Sequence, residues 1–158
     1  MATTYSPGVL SKGAVATSED AGQLTFNPFT FDFANTAYRP TTLVAGDKLR
    51  IGLVPKGERL VPHLCRADML KLDTHVSPTG DYSIGTEALT DALKASTAAE
   101  TAAATLFGED WALSTAEIGS DTEDTPIYIV IINDIATVPS TGKIKFWQVT
   151  RPARASFD

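Results

Sequence analysis

The sequence predicts an all-β chain: an antiparallel β-sandwich, jelly-roll-like, with one short helix and an extended N-terminal arm. Three observations carry this reading. First, Ile127 to Ile132 is a run of six apolar residues, all β-branched or aromatic. It is too short for a globular helix and has the composition of a strand covered on both faces. Second, Phe29, Phe31 and Phe33 alternate with Thr30 and Asp32, the period of two expected of a strand with one aromatic face. Third, Leu49, Ile51 and Leu53 alternate with Lys48, Arg50 and Gly52, a half-buried strand. The chain of 158 residues has the length of one domain. It divides into an arm over 1–22, a sandwich over 23–150 and a tail over 151–158.

Taken in order, residues 1–22 are rich in Thr, Ser, Gly and Ala and hold only the apolar pairs Val9-Leu10 and Ala14-Val15. Such a segment lacks the apolar surface to order itself, so it is expected to fray or to lie along a neighbouring subunit. Leu24 to Phe33 is the aromatic strand. Its phenylalanines are expected chiefly in the core, although four in eight residues also suit a subunit contact. Gly46-Asp47 is a turn before the Leu49 strand. Pro55-Lys56-Gly57 is a tight turn, with proline fixing φ and glycine taking a positive φ. Leu60 to Asp73 returns as a strand that begins on an edge or at a bulge, because Pro62 has no N–H to give a ladder. Asp81 to Gly85 is one more short strand.

Thr86 is placed as the N-cap of a helix over Glu87 to about Ser96, with Leu89 and Leu93 four apart on one face. Ser96 to Thr105 extends that helix or loops, and Trp111-Ala112-Leu113 reads as a short strand. Gly119 to Asp124 is an exposed loop. Pro126 stands at the entry of the apolar run, and Asn133-Asp134 ends it with turn chemistry. Lys143 to Thr150 follows after Pro139, Ser140 and Gly142, so the two strands read as an antiparallel hairpin at the centre of the sandwich.

The net charge of −6 argues against nucleic acid as a partner, and no basic patch interleaved with aromatics appears. The charge is unevenly placed. Residues 79–125 hold ten acids and one base, Lys94, whereas the last sixteen residues hold four bases and one acid. Solvation explains such patches, and so does docking between copies. No run approaches the length of a membrane span. The first residues lack the basic end and apolar block of a secretory signal, so synthesis and use without general export are expected. The single cysteine, Cys65, excludes an intrachain disulfide and reads as a small core residue.

Chemistry finds no foothold. His63 and His75 are the only histidines, and neither has a ligand partner at zinc spacing. There is no nucleophile elbow, phosphate loop or dinucleotide fingerprint. Asp121, Glu123 and Asp124 lack the spacing of a calcium loop. No catalytic residue, metal site or cofactor is expected.

The order of Gly46-Asp47, the alternating strand, Gly52 to Gly57, the strand from Leu60 to Asp73, and Asp81 to Thr86 resembles small structural proteins in the virions of tailed bacteriophages. The resemblance spans roughly 43–150 and rests on turn residues between strands. It implies a non-enzymatic head decoration or cement protein that binds the major capsid protein lattice and stabilises the capsid. It also implies a dimer or trimer, made in the host cytoplasm and resident on the capsid surface, with neither nucleic acid nor membrane as a partner. On that reading the contact residues are Tyr5, Val9 and Leu10 of the arm, Phe26, Phe29 and Phe31 of the aromatic strand, and Arg151 and Arg154 of the tail. The alternative is a tail, neck or baseplate component with a carbohydrate-binding face using Trp111, Tyr82 or Trp147.

Overall fold

The computed structural model describes residues 1–7, 24–100, 105–106 and 117–153. Among these residues ten strands form two sheets that close on one apolar core. They are β1 (Thr4–Tyr5), β2 (Thr25–Asp32), β3 (Lys48–Val54), β4 (Glu58–Leu60), β5 (Arg66–Asp68), β6 (Asp81–Gly85), β7 (Lys94–Ala98), β8 (Thr105–Leu106), β9 (Thr125–Asn133) and β10 (Lys143–Pro152). The first sheet runs β1-β3-β9-β6-β7 and the second β2-β10-β5-β8, with β4 also on β10. Every described pairing is antiparallel except β1 with β3.

The two long strands are neighbours in sequence but do not pair. The apolar run is β9, flanked on both sides in the first sheet, and the strand after it is β10, flanked on both sides in the second. The expected hairpin is therefore a crossover between sheets. Asp73 directs it. Its buried carboxylate accepts N–H groups from His75, Thr79 and Gly80 on its own loop, and from Ala136 (3.1 Å) and Thr137 (3.1 Å) on the connection between β9 and β10. Five backbone donors fix the crossover against the 73–80 loop.

The strand periodicities place the core. Phe29, Phe31 and Phe33 are all buried, as are Leu49 and Ile51 of β3 and Ile127, Ile129 and Ile131 of β9. Phe31 packs against Phe33 and against Tyr38, each at 5.1 Å between ring centres. A bulge between Arg50 and Gly52 resets the alternation of β3. Gly52 then faces the second sheet, where a β-carbon would stand 3.0 Å from the Phe146 ring and from Gln148 Oε1. Gly57 takes the positive φ its turn requires, at 79°.

The return strand is interrupted where Pro62 indicated. β4 and β5 lie in one lane along β10, and Pro62–Leu64 loops out between them as a 3-10 turn. Cys65 fills the gap it leaves. Its thiol lies 3.4 Å from the Val61 carbonyl and accepts the Val149 N–H at 3.4 Å. Burial pushes it up to about 11, so it is a core residue and not a nucleophile.

The expected helix after Thr86 is absent. Thr86 Oγ1 does accept the Leu89 N–H at 3.1 Å, as a cap would. The chain then closes a tight turn, with Thr86 N–H on the Leu89 carbonyl, and enters β7 beside β6. Ser83 Oγ takes the Thr90 carbonyl and Ile84 takes the Leu93 N–H, so the sheet claims the groups that a helix needed. The Trp111 strand lies outside the described residues.

The start of the arm docks on its own chain. Thr3 N–H donates to Asp47 Oδ1 at 2.7 Å, Lys48 N–H reaches the Thr3 carbonyl at 2.9 Å, and Thr4–Tyr5 pair with β3.

Burial disfavours the charge on Asp73, but the N–H donors of His75, Ala136, Thr137 and Thr79 outweigh it and hold its carboxyl below the ordinary value. Its contribution is therefore full above the unfolded pKa of about 4 and is lost as pH falls through the lower folded value. Calorimetry from pH 7 to pH 3 is expected to show wild-type melting temperature falling below about pH 4. Asp73→Asn is expected to be less stable by about 1–3 kcal/mol at pH 7 and to show a shallower acid decline.

Candidate functional site

Strand alternation divides β2 and β10 into two faces. Phe29, Phe31, Ile144 and Phe146 point into the core. The opposite face carries Phe26, Pro28 and Thr30 of β2, with Lys145 and Trp147 of β10. Pro28 stands directly across from Trp147 and Thr30 from Lys145. Arg66 of β5 also lies across from Trp147. Its guanidinium sits 4.7 Å from the centre of the Trp147 ring, a favourable cation–π distance, and is held there by Asp68 at 3.0 Å. Phe26 is 68% exposed. The result is an aromatic patch on the outside of the second sheet.

β2 is the edge of that sheet, and its sequence suits an edge. The Phe33 N–H reaches the Gly142 carbonyl on the β10 side, while the Asp32 N–H turns away and meets the Tyr38 hydroxyl. Even-numbered N–H groups therefore point outward, and Pro28 has none to leave unpaired.

The residues proposed from sequence as contacts fare differently. Phe26 is displayed. Phe29 and Phe31 are 5% and 0% exposed; odd positions of β2 face inward, so neither offers surface to another chain. Tyr5 is half-buried against the core edge, with its hydroxyl 3.4 Å from the Thr42 carbonyl; burial and the Asp47 carboxylate push its phenol pKa up. Val9, Leu10 and Arg154 lie outside the described residues.

Arg151 has a partner in its own chain. It meets Glu117 at 2.9 Å, while Arg59 meets Glu117 at 3.4 Å and Asp121 at 2.8 Å. Arg59, Glu117 and Arg151 line a shallow cleft of about 110 Å³ with Ala153. The acidic 79–125 segment and the basic last sixteen residues suit either solvation or docking between copies; here Glu117 of the first and Arg151 of the second meet within one molecule. Such exposed pairs contribute little to stability, but they remove Arg151 and Arg59 as free cations.

His63 is exposed in the middle of the 3-10 turn, and the His75 ring accepts the Ser77 N–H at 3.0 Å. Among the described residues no group of three or more His, Cys, Asp or Glu is placed to hold a metal ion, and no helix is long and apolar enough to cross a membrane. Of the aromatic residues proposed for sugar binding, Tyr82 is buried and its phenol is pushed up by burial. Trp111 lies outside the described residues, and the Trp147 ring is taken by Arg66. Sequence reasoning missed the pairing of Pro28 and Trp147, because nothing local to either residue fixes the register of β2 on β10.

No family model matches the sequence, and no curated protein matches it. Two solved structures do match in fold. One chain of the Ralstonia phage GP4 capsid superposes with a TM-score of 0.70 at 16% identity, over 96% of this chain and 99% of that one. One chain of the cyanophage Pam1 capsid asymmetric unit gives 0.59 at 16% identity, over 90% and 94%. The fold is that of two phage capsid chains. Each likeness runs nearly the full length of the two chains compared, so it takes in both sheets of the sandwich.

Because Phe26 points outward and Phe31 inward from the same strand, their truncations should separate. Urea unfolding is expected to show Phe26→Ser within about 0.5 kcal/mol of wild type, and Phe31→Ala destabilised by about 3–5 kcal/mol.

Proposed function

We propose that this protein is a structural component of a phage virion, and within it a head decoration protein that binds the major capsid protein lattice from outside. The observation that carries the reading is the near end-to-end likeness to chains from two phage capsids. Two features of the chain support it. Phe26 and Pro28 stand exposed on the outer face of β2, beside the Trp147 ring that Arg66 sits over, and aromatic residues are enriched where proteins dock. The described histidines and the cysteine sit in surroundings that give none of them a nucleophile–base arrangement.

The mechanism is added interface. Each copy spans neighbouring shell subunits and contributes contacts that must break before the subunits part. Assembly of copies into a dimer or trimer multiplies individually weak contacts. The face of β2 and β10 is rigid because its reverse side is the core, so little ordering entropy opposes docking.

Quantitative mass spectrometry of purified particles tests the reading. The protein is expected in a number of copies comparable with the lattice sites of the shell. A handful of copies per particle would instead place it at the tail, neck or baseplate.

A further inference from the structure

The two ends of the sandwich differ in charge. Loops 33–47, 73–80 and 134–142 gather at one end, where Asp32 stands across from Lys143 and Asp81 across from Asn133. They are tied into one surface. Leu43 bridges Ile135, the Ala45 N–H donates to Asp134 Oδ1 at 2.7 Å, Arg39 Nη1 donates to the Ser140 carbonyl at 3.2 Å, and the Thr74 N–H donates to the Thr137 carbonyl at 3.0 Å. These loops contain no lysine and no glutamate. Asp47 and Asp73 are buried, and Arg39 is half-buried on its carbonyl partner. Asp134 is the only acid they expose, and His75 the only exposed base. What they display is short and uncharged: Thr42, Val44, Ala45, Val76, Ala136 and Thr137 are all exposed, Val76 to 94%. The opposite end is charged. Turn 55–57 and segment 117–124, joined there by the Gly57 N–H on the Ser120 carbonyl at 2.8 Å, hold four acids and one base.

We propose that the uncharged loop end is the surface by which this protein sits on the shell, and that it meets an uncharged patch of the shell subunit. The inference rests on the capsid reading above and concerns the end of the sandwich, not the β2 and β10 face on its side. Beyond the loss of free tumbling, docking costs desolvation, side-chain ordering and loop ordering. Each is low here. The one exposed carboxylate, that of Asp134, is already hydrogen-bonded. Thr, Val and Ala side chains have few rotamers to lose. The loops are held in place beforehand, by Asp73 on five N–H groups and by Asp47 on those of Thr3 and Val44. The same chemistry selects the occupant. A charged patch would shed its water against this surface and find no counter-ion, which is costly, whereas an uncharged patch loses nothing. The charged end then points away from the shell into solvent. A second copy packed end to end would cover the loops and turn a charged end towards the shell instead.

The test uses the full chain and particles assembled without it. Co-sedimentation with the particles is measured beside melting temperature and the sedimentation velocity of the free protein. Val76→Lys, Val76→Glu and Ala136→Lys probe the loop end, and Glu123→Lys probes the opposite end. The three loop-end variants are expected to bind about tenfold more weakly or worse, because a charge of either sign is stripped of water on docking, at an unchanged melting temperature. Glu123→Lys is expected to bind as wild type does, and wild-type binding to be nearly the same at low and high salt. Loop-end variants that bind like wild type overturn the inference and leave the capsid reading standing. So does binding weakened by one sign of charge at Val76 and strengthened by the other, which marks a charged partner. Melting temperatures that fall in step with binding make these fold residues and also overturn it. Free protein that is dimeric as wild type and monomeric as Val76→Lys makes this end a contact between copies, with the same consequence. Wild type that does not sediment with the particles removes both readings.

Discussion

One buried side chain holds the two sheets in register. Gln148 of β10 reaches across the core to a single residue of β3. Its Oε1 accepts the Leu53 N–H at 3.1 Å, and its Nε2 donates to the Leu53 carbonyl at 2.7 Å. Leu53 stands across from Pro126, and its own N–H and carbonyl turn away from β9. Among the described residues β1 pairs only with Lys48 and Leu49, so no described strand meets those groups. Buried and unpaired, they would cost several kcal/mol between them, on the order of 1–3 each. The amide of Gln148 satisfies both and is itself fully buried. Gly52 makes the approach possible, because any larger residue there would press on Gln148 and Phe146.

That clamp bears on function through β10. The strand that carries Gln148 inward carries Lys145 and Trp147 outward, so fixing one side orients the other. Asp73 acts in the same way on the crossover that brings the chain from β9 to β10, and Asp47 on the first residues of the chain. Each is a buried carboxylate or amide that satisfies backbone groups of a segment distant in sequence. A sandwich built this way is a stiff block with fixed faces, which suits a part whose contribution is contact.

Much of the fold is legible in the sequence because period-two burial is a local signal. The alternation of Phe29, Phe31 and Phe33, the inward Leu49 and Ile51, the apolar run of β9, the positive φ at Gly57 and the inert Cys65 all follow from residues within a few positions. What is not legible is set by partners far away in the chain. The connection after Asn133 looks like a hairpin loop until Asp73 takes the N–H groups of Ala136 and Thr137. Leu89 and Leu93 have helical spacing, but Leu93 bonds to β6 and is buried, while Leu89 is 45% exposed; strand pairing overrode local propensity. The phenylalanines of the aromatic strand suit the core first and a subunit contact second, and the pleat divides them: Phe29 and Phe31 are buried and Phe26 is displayed.

The clamp is tested most directly by hydrogen exchange at the Leu53 amide in wild type and in Gln148→Met, which keeps much of the side-chain volume and removes both hydrogen bonds. The account predicts that in wild type this amide exchanges as slowly as the central residues of β9. In the variant it should exchange far faster than β9, with a clear loss of global stability. A Leu53 amide equally protected in both proteins, at unchanged stability, would contradict it.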